Sequence, residues 1–115
     1  MDLAEALEFS QYASRLRAAR PELFGAVAAA LESSFAVSED DAAALQRASD
    51  SAALALMLRE LRQRVFLGTL LRDLTGRADL LEVCAAMTRL AEVAISETVA
   101  AHHRWLAETH GHPIG

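Results

Sequence analysis

The segment from Leu58 to Glu92 constrains the fold of this chain more than any other part of the sequence. Its residues, LRELRQRVFLGTLLRDLTGRADLLEVCAAMTRLAE, predict one long helix, a tight stop at Thr75-Gly76 and the start of a second long helix. Glycine adopts the left-handed backbone that closes a helix at little cost. A connection this short places the two helices side by side and antiparallel, so the segment predicts a helical bundle.

The composition agrees with an all-α fold. The 115 residues suffice for one domain with a core and are too few for two comfortable ones. Alanine, leucine, arginine and glutamate dominate, and these residues are among the strongest helix formers. We predict a single helical domain over residues 1–115, an up-and-down bundle of four to five helices with a long central helix at about 50–74 and a long last helix at about 80–109.

Shorter helices are predicted before the central one. Apolar residues at helical spacing predict a first helix over Leu3–Arg20. Pro21 suits the first position of a second helix, which runs to about Ser33, because proline lacks the N–H that would be unpaired there. Ser49-Asp50-Ser51 is either a break or kink in the chain or the cap of the central helix.

Residues 34–41 predict a loop in which Ser38 caps a third helix. Glu39, Asp40 and Asp41 follow directly, and three consecutive side chains fan around a helix start instead of converging on one ion. We therefore interpret them as partners of the helix dipole and not as a metal cluster.

The central helix is apolar on different sides along its length. Its first half carries one apolar face and its second half carries a roughly opposite one, formed respectively by Leu54, Leu58, Leu61 and Val65, and by Phe66, Leu67, Leu70, Leu71 and Leu74. A helix with this pattern is buried against different partners at its two ends. We therefore place it at the centre of the bundle.

The last helix shows one apolar stripe, which we interpret as its buried face. Cys84 lies on this stripe, so a buried and unreactive thiol is predicted. Asp79 and Glu82 have the spacing of a capping box at the start of the helix. The stripe comprises Leu80, Val83, Cys84, Met87, Ala91, Ala94, Ile95, Thr98, Ala101, His102 and Trp105.

Charge and hydropathy exclude several classes of function. The net charge is −5 and no basic stripe occurs, which disfavours direct nucleic-acid binding. No apolar run approaches the roughly 18 residues that span a membrane. The N-terminus lacks the basic region and cleavage site of a secretory signal, so the sequence predicts a cytoplasmic protein.

Four histidines lie near the end of the chain, at positions 102, 103, 110 and 112. A helical metal site needs ligands that converge, whereas adjacent helical residues point about 100 degrees apart. We predict one half-buried histidine and three surface ones. No catalytic triad or glycine-rich phosphate loop occurs, and we assign no catalytic, cofactor-binding or metal-binding residue.

Arginine is concentrated on the central helix, where two interpretations stay open. Arg59, Arg62, Arg64 and Arg72 form either a surface that faces a phosphate or a partner, or a set of ion pairs inside the bundle. Glu60 is spaced to pair with Arg64 one turn away.

The segment that begins at Leu58 resembles the helical lead-in of the bifunctional glutamine synthetase adenylyltransferase/adenylyl-removing enzymes. That family carries a pattern close to L-R-x-[FL]-R-x-R-x-x-x-R-I-x-x-R-D-L-x-G-x-A-x-L-x-x-V, followed by L-S-x-L-A. Gly68 stands where the family has arginine, and Thr69 where it has isoleucine. The matching residues are Leu58, Arg59, Leu61, Arg62, Arg64, Arg72, Asp73, Leu74, Gly76, Ala78, Leu80 and Val83, with Met87, Thr88, Leu90 and Ala91 in the second pattern.

The resemblance implies a two-headed parent enzyme, which attaches AMP from ATP to a tyrosine of glutamine synthetase and removes it by phosphorolysis. Magnesium and ATP are its implied cofactors, and glutamine synthetase and the PII signal protein its implied partners. The family's G-x-G-K-L-G-G and S-D-x-D signature is expected after Gly115. Residues 1–115 are therefore expected to be an N-terminal helical scaffold, inactive alone, with Arg72 and Asp73 bracing the catalytic domain.

Two other interpretations compete with the scaffold. The chain is alternatively a non-enzymatic helical module that docks a regulator or a partner helix, or a free-standing helical-bundle dimer. A scaffold without its neighbour is also expected to expose an apolar patch that drives artificial homodimers.

Overall fold

The computed structural model describes residues 2–110, and this part of the chain is helical without a strand. The all-α class is confirmed, but the count of four to five helices is wrong, because six helices lie within the described range. The two long helices occupy nearly their predicted ranges. The helices are α1 (Leu3–Phe9), α2 (Gln11–Ala19), α3 (Pro21–Ala29), α4 (Glu39–Leu45), α5 (Ser51–Leu74) and α6 (Leu80–His110).

Ser10 divides the predicted first helix into α1 and α2. Its backbone is extended, and its hydroxyl accepts a hydrogen bond from the Ala13 amide at 3.1 Å, which makes Ser10 the N-cap of α2. A serine offers the backbone this alternative to continued helix. Both α1 and α2 contribute to one core, in which Ala6 and Ala13 are fully buried.

The caps predicted before the central helix are confirmed. Pro21 occupies the first turn of α3, although α3 ends at Ala29 and not near residue 33. The Ser38 hydroxyl accepts from the Asp41 amide at 3.0 Å, while the Asp41 carboxylate accepts from the Ser38 amide at 3.0 Å. Asp50 caps α5 by accepting from the Ala53 amide at 2.8 Å.

The predicted stop after α5 is also confirmed. Gly76 has a φ of 75° and sits between the two long helices. The Gly76 amide donates to the Asp73 carbonyl at 3.1 Å, and the Arg77 amide donates to the Arg72 carbonyl at 2.7 Å. This pair of hydrogen bonds is a Schellman motif, which satisfies carbonyls that a helix end leaves unpaired.

Two separate hydrophobic cores lie along α5, as its two apolar faces predict. The first core packs the second half of α5 against α1, α2 and α3, and comprises Ala6, Ala13, Leu16, Phe24, Val27, Leu31, Phe35, Leu67 and Leu71. The second core packs the first half of α5 against α4 and α6, and comprises Val37, Leu45, Ala48, Leu54, Leu61, Val65, Leu90, Val93 and Ala101. Helix α5 is therefore central. The up-and-down bundle is not confirmed, because the four short helices cover different halves of α5.

The buried face of α6 differs from the predicted stripe. The residues buried on α6 are Ala86, Leu90, Val93 and Ala101, whereas Leu80 and Ile95 of the stripe are 75% and 67% exposed. The true face is rotated by about 90 degrees from the predicted one. The stripe prediction failed because α6 is apolar around more than half of its circumference, and only part of that arc is covered.

Seven apolar residues form an uncovered outer face of α6. Cys84 is among them, so the prediction of a buried thiol is wrong. At 31 residues, α6 is about 46 Å long and extends past the helices that pack on it. The outer face comprises Leu80, Leu81, Cys84, Ala91, Ile95, Val99 and Leu106.

Candidate functional site

Arg72 joins three parts of the fold from a buried position. Its Nε donates to Glu82 Oε2 at 2.7 Å and its Nη2 donates to Glu82 Oε1 at 2.9 Å, so the ion pair is bidentate. Its Nη1 donates to the Leu31 carbonyl at 2.6 Å, and Nη2 also reaches the Arg77 carbonyl at 3.1 Å. The guanidinium therefore ties the segment after α3 and the α5–α6 turn to the first turn of α6.

The electrostatics of this pair follow from its geometry. Hydrogen bonds to Glu82 raise the pKa of Arg72 against the opposing effect of burial. The same hydrogen bonds hold the pKa of Glu82 below its ordinary value, again against burial. Bidentate charge-assisted hydrogen bonds of this kind are the strong ones in proteins.

Arg72 consequently does not brace another domain from the surface, as the sequence suggested. Its guanidinium is hydrogen-bonded to groups within the chain, and the residue is only 7% exposed. Glu82 likewise departs from the predicted capping box. Its amide donates to Asp79 Oδ1 at 2.8 Å, but its carboxylate turns to Arg72 instead of the helix start. Asp73, next to Arg72, is exposed.

The sequence left open whether the arginines of α5 face a phosphate or a partner, or form ion pairs inside the bundle. Arg64 donates to Asp41 at 2.6 Å, so the predicted Glu60–Arg64 pair does not form. Glu60 accepts from Arg20 at 2.8 Å instead. Arg59 and Arg62 are exposed and pair with no carboxylate within residues 2–110. Ion pairing between helices thus accounts for Arg64 and Arg72 only.

Asp41 combines a cap with an ion pair. Burial raises the pKa of its carboxyl, but the hydrogen bonds from Arg64 and Ser38 outweigh that effect and lower the pKa below its ordinary value. Glu39, Asp40 and Asp41 occupy the first turn of α4, as the dipole interpretation predicts.

The histidines do not converge. His102 and His103 are both exposed on α6, so no half-buried histidine lies among these two. His102 Nδ1 lies 2.9 Å from the Thr98 carbonyl, and its ring stacks edge-on against Trp105. The side chain of His110 and all of His112 lie outside the described residues. Over the described range, no three His, Cys, Asp or Glu side chains are grouped to hold a metal ion.

A concave, mostly apolar groove lies between α5 and α6. It consists of two adjoining hollows of about 280 and 350 Å³ that share Phe66 and Met87. Asp73 lies at one end of this α5–α6 groove, and Arg62 lies one helical turn inside the other end, which Leu58 forms. Its remaining lining residues are Tyr12, Leu58, Thr69, Leu70, Val83, Leu90, Ala91 and Ala94.

One positively charged and two aromatic side chains, Arg62, Tyr12 and Phe66, line the groove. Partial burial raises the pKa of the Tyr12 hydroxyl, and the nearby positive charge of Arg62 opposes that rise. Phe66 was predicted within the second apolar face of α5 but is 37% exposed, and it lines both hollows of the groove. The sequence analysis missed this surface. Its signal was the apolar arc of α6, which is wider than one buried face requires.

Gly68, which stands where the family pattern has arginine, lies against a buried aromatic ring. A Cβ atom built on Gly68 would lie 2.1 Å from Cγ of the Phe35 ring. Phe35 is buried in the first core. The ring therefore packs directly on the α5 backbone, at the position where the family pattern carries arginine.

Comparison with known proteins identifies the family. The family model described as glutamate-ammonia ligase adenylyltransferase matches residues 1–115. The chain belongs to this family. It is similar over 98% of its length to the bifunctional glutamine synthetase adenylyltransferase/adenylyl-removing enzyme of Chromobacterium violaceum, with 39% identity. No solved structure matches it.

Other relatives carry the same name. The enzyme of Thioalkalivibrio sulfidiphilus is 37% identical over 90% of the chain. The enzyme of Bordetella pertussis is 51% identical over 57 residues, half of the chain. This adenylyltransferase-family chain covers only 13%, 11% and 6% of the Chromobacterium, Thioalkalivibrio and Bordetella enzymes, respectively. The matched segment is therefore a small part of each relative. None of the helices in the described range has the length and hydropathy to cross a bilayer.

Proposed function

We propose that this chain is the N-terminal helical scaffold of an enzyme that attaches AMP from ATP to a tyrosine of glutamine synthetase and removes it by phosphorolysis. The observation that carries the proposal is the family match over the entire chain, with relatives named for both activities. Glutamine synthetase and the PII signal protein are the proposed partners of the whole enzyme, and its proposed location is the cytoplasm.

The fold supports a scaffold role. Ion pairs of the described range join one helix or turn of this chain to another, as Arg72 does with Glu82. At the same time, the outer face of α6 and the α5–α6 groove leave apolar surface for a neighbour. A segment that is braced internally and apolar externally is suited to hold another part of a protein in place.

Magnesium and ATP belong, on this proposal, to the remainder of the enzyme. The described carboxylates do not fit a magnesium–nucleotide site, since Asp41 and Glu82 are each committed to an arginine and the acidic side chains do not converge. We expect calorimetry to detect no binding of magnesium–ATP to the isolated chain at millimolar concentration. Clear saturable binding would contradict the scaffold role.

A graft tests the proposal in an active enzyme. This chain replaces the segment with which it aligns in the Chromobacterium violaceum enzyme, and AMP attachment and removal are measured on glutamine synthetase. We expect both rates to stay within about tenfold of the unaltered enzyme, a change of about 1.4 kcal/mol in barrier. A graft that melts normally but loses both activities by more than 100-fold would refute the proposal.

The groove also favours a second candidate, a helical module that docks a partner helix without any catalysis. Apolar grooves between helices bind amphipathic helices in many recognition proteins. Sequencing the source gene beyond Gly115 separates the two candidates. An open frame that leads into a glycine-rich stretch and paired aspartates supports the scaffold, and a stop codon supports the module.

A further inference from the structure

The α5–α6 groove has the length of one docked helix. On α5 it extends from Leu58 to Asp73, a rise of about 22 Å, and on α6 from Val83 to Ala94, a rise of about 17 Å. A helix of about four turns, or roughly 14 residues, matches this length. The lining side chains are mostly apolar, with Phe66 and Met87 at the centre.

Opposite charges lie toward the two ends of the groove, with Asp73 at one end and Arg62 one helical turn inside the other. Arg62 and Asp73 lie about three turns apart on the same face of α5. Both side chains are exposed, and neither forms a salt bridge within the range that the structure describes. The neighbouring Arg72 differs from these two residues, because it forms a salt bridge with Glu82 inside the chain. The groove therefore offers two unmatched charges with an apolar floor between them.

The outer face of α6 continues the apolar surface beyond the groove. Ala91 belongs to both, and Cys84 and Ile95 lie beside it on the same side of the helix. A helix seated in the groove would thus contact apolar surface on α5, on α6 and along the border of the outer face. This arrangement resembles the packing of a core helix more than that of a solvated one.

We propose that the groove binds an amphipathic helix of about four turns from the remainder of the enzyme polypeptide, with a carboxylate beside Arg62 and a cation beside Asp73. This proposal rests on the scaffold function. The matched segment is 13% of the Chromobacterium relative, so most of that polypeptide lies outside it. A tethered helix competes at an effective millimolar concentration, which favours it over a separate partner.

The charges also set the direction of the docked helix. Carboxylates are favoured near the N-terminus of a helix and cations near its C-terminus, because of the helix dipole. The docked helix therefore begins beside Arg62 and ends beside Asp73. It runs parallel to α5 and antiparallel to α6.

Photocrosslinking of the polypeptide translated from the source gene tests the proposal. A photoreactive phenylalanine analogue replaces Phe66 in one variant, and Leu56 in a control variant whose label lies on α5 outside the groove. Mass spectrometry then identifies the crosslinked peptides at two protein concentrations, with and without glutamine synthetase. We expect Phe66 alone to crosslink to one helical peptide of the same polypeptide, with a yield that does not depend on concentration.

Other results overturn the proposal. A crosslink between two copies, rising with concentration, identifies a second copy as the occupant, and a crosslink that requires glutamine synthetase identifies that protein instead. A Phe66 yield no higher than that of Leu56, or a reading frame that closes after Gly115, excludes a tethered helix.

Charge reversal tests the predicted direction. Arg62→Glu and Asp73→Lys are each expected to lower the crosslink yield at least about threefold, because a like charge then faces the docked helix. Arg59→Glu, on the same helix and outside the groove, is expected to leave the yield unchanged. Equal yields for all three variants would refute the charge pairing. The graft experiment does not depend on these readouts, so an active graft without a crosslink refutes the docked helix alone.

Discussion

The two long helices are both apolar on more than one side, but other described helices pack on both apolar sides of α5 and on only one side of α6. The second half of α5 is buried by α1, α2 and α3, and its first half by α4 and α6. Helix α6 buries one side against α5 and leaves its outer face exposed. The difference shows that an apolar pattern identifies a surface that needs a neighbour, but not where that neighbour comes from.

The largest predicted contrast compares one leucine from each helix. Leu71 on α5 is 0% exposed and Leu81 on α6 is 80% exposed. Leu71→Ala is expected to lower the free energy of unfolding by about 2 to 5 kcal/mol, because it leaves a cavity in the first core. Leu81→Ala is expected to change it by less than about 0.5 kcal/mol. Urea denaturation measures both, and similar losses would mean that the outer face is covered in the isolated chain.

Loss of the Arg72–Glu82 ion pair, which joins α5 to α6, is expected to have the next largest effect on stability. Arg72→Met removes the charge that satisfies Glu82 and the Leu31 and Arg77 carbonyls. We expect a loss of about 3 kcal/mol in the free energy of unfolding, since a partly buried carboxylate loses its partner. Arg62→Met is the matched control and is expected to cost less than about 0.5 kcal/mol. Equal urea midpoints for the two variants would contradict an internal clamp.

A comparison of two glycines, the buried Gly68 in α5 and the exposed Gly25 in α3, tests how tightly the second half of α5 is packed. Gly68→Ala places a methyl group against the Phe35 ring and is expected to cost about 1 to 3 kcal/mol by overpacking. Gly25→Ala, in α3, meets no atom within 4 Å and is expected to gain up to about 1 kcal/mol from helix propensity. Thermal melts should therefore shift in opposite directions, and a stabilised Gly68→Ala variant would refute the close contact with Phe35.

The smallest effect is a dependence on pH at the start of α6. The pKa of Glu82 is lowered in the folded chain, so its contribution to stability is present above its unfolded pKa of about 4.3. That contribution is lost as the pH falls through the lower folded value, because the unfolded state then binds more protons. The loss in the free energy of unfolding caused by Glu82→Gln should be constant above about pH 5 and shrink below about pH 4. Glu92→Gln, exposed on α6, is the control, and an equal deficit there would contradict the pairing.

Local signals in the sequence predicted the features that depend on neighbouring residues. The Ser38 cap, the stop at Gly76 and the range of α5 each follow from side chains within one or two turns. The two faces of α5 were also predicted, because opposite apolar sets separated along a helix require two partners. Family membership was likewise anticipated from the pattern that begins at Leu58.

The errors concern features set by distant contacts. The buried side of α6 was misplaced because its apolar arc is wide and only packing on α5 selects which part is covered. Arg72 was expected to brace the catalytic domain, with ion pairing inside the bundle left as an open alternative, because its partners Leu31 and Glu82 converge only in the folded chain. Ser10 was placed inside a helix because it continues the helical spacing of the residues before it, and only the folded chain shows that it caps α2.

The contact between Gly68 and Phe35 couples the residue choices at these two positions. The ring occupies the space that a side chain at position 68 needs. A residue larger than glycine at position 68 therefore requires a smaller residue at position 35 or a displaced ring. Any redesign of this part of the first core has to change the two positions together.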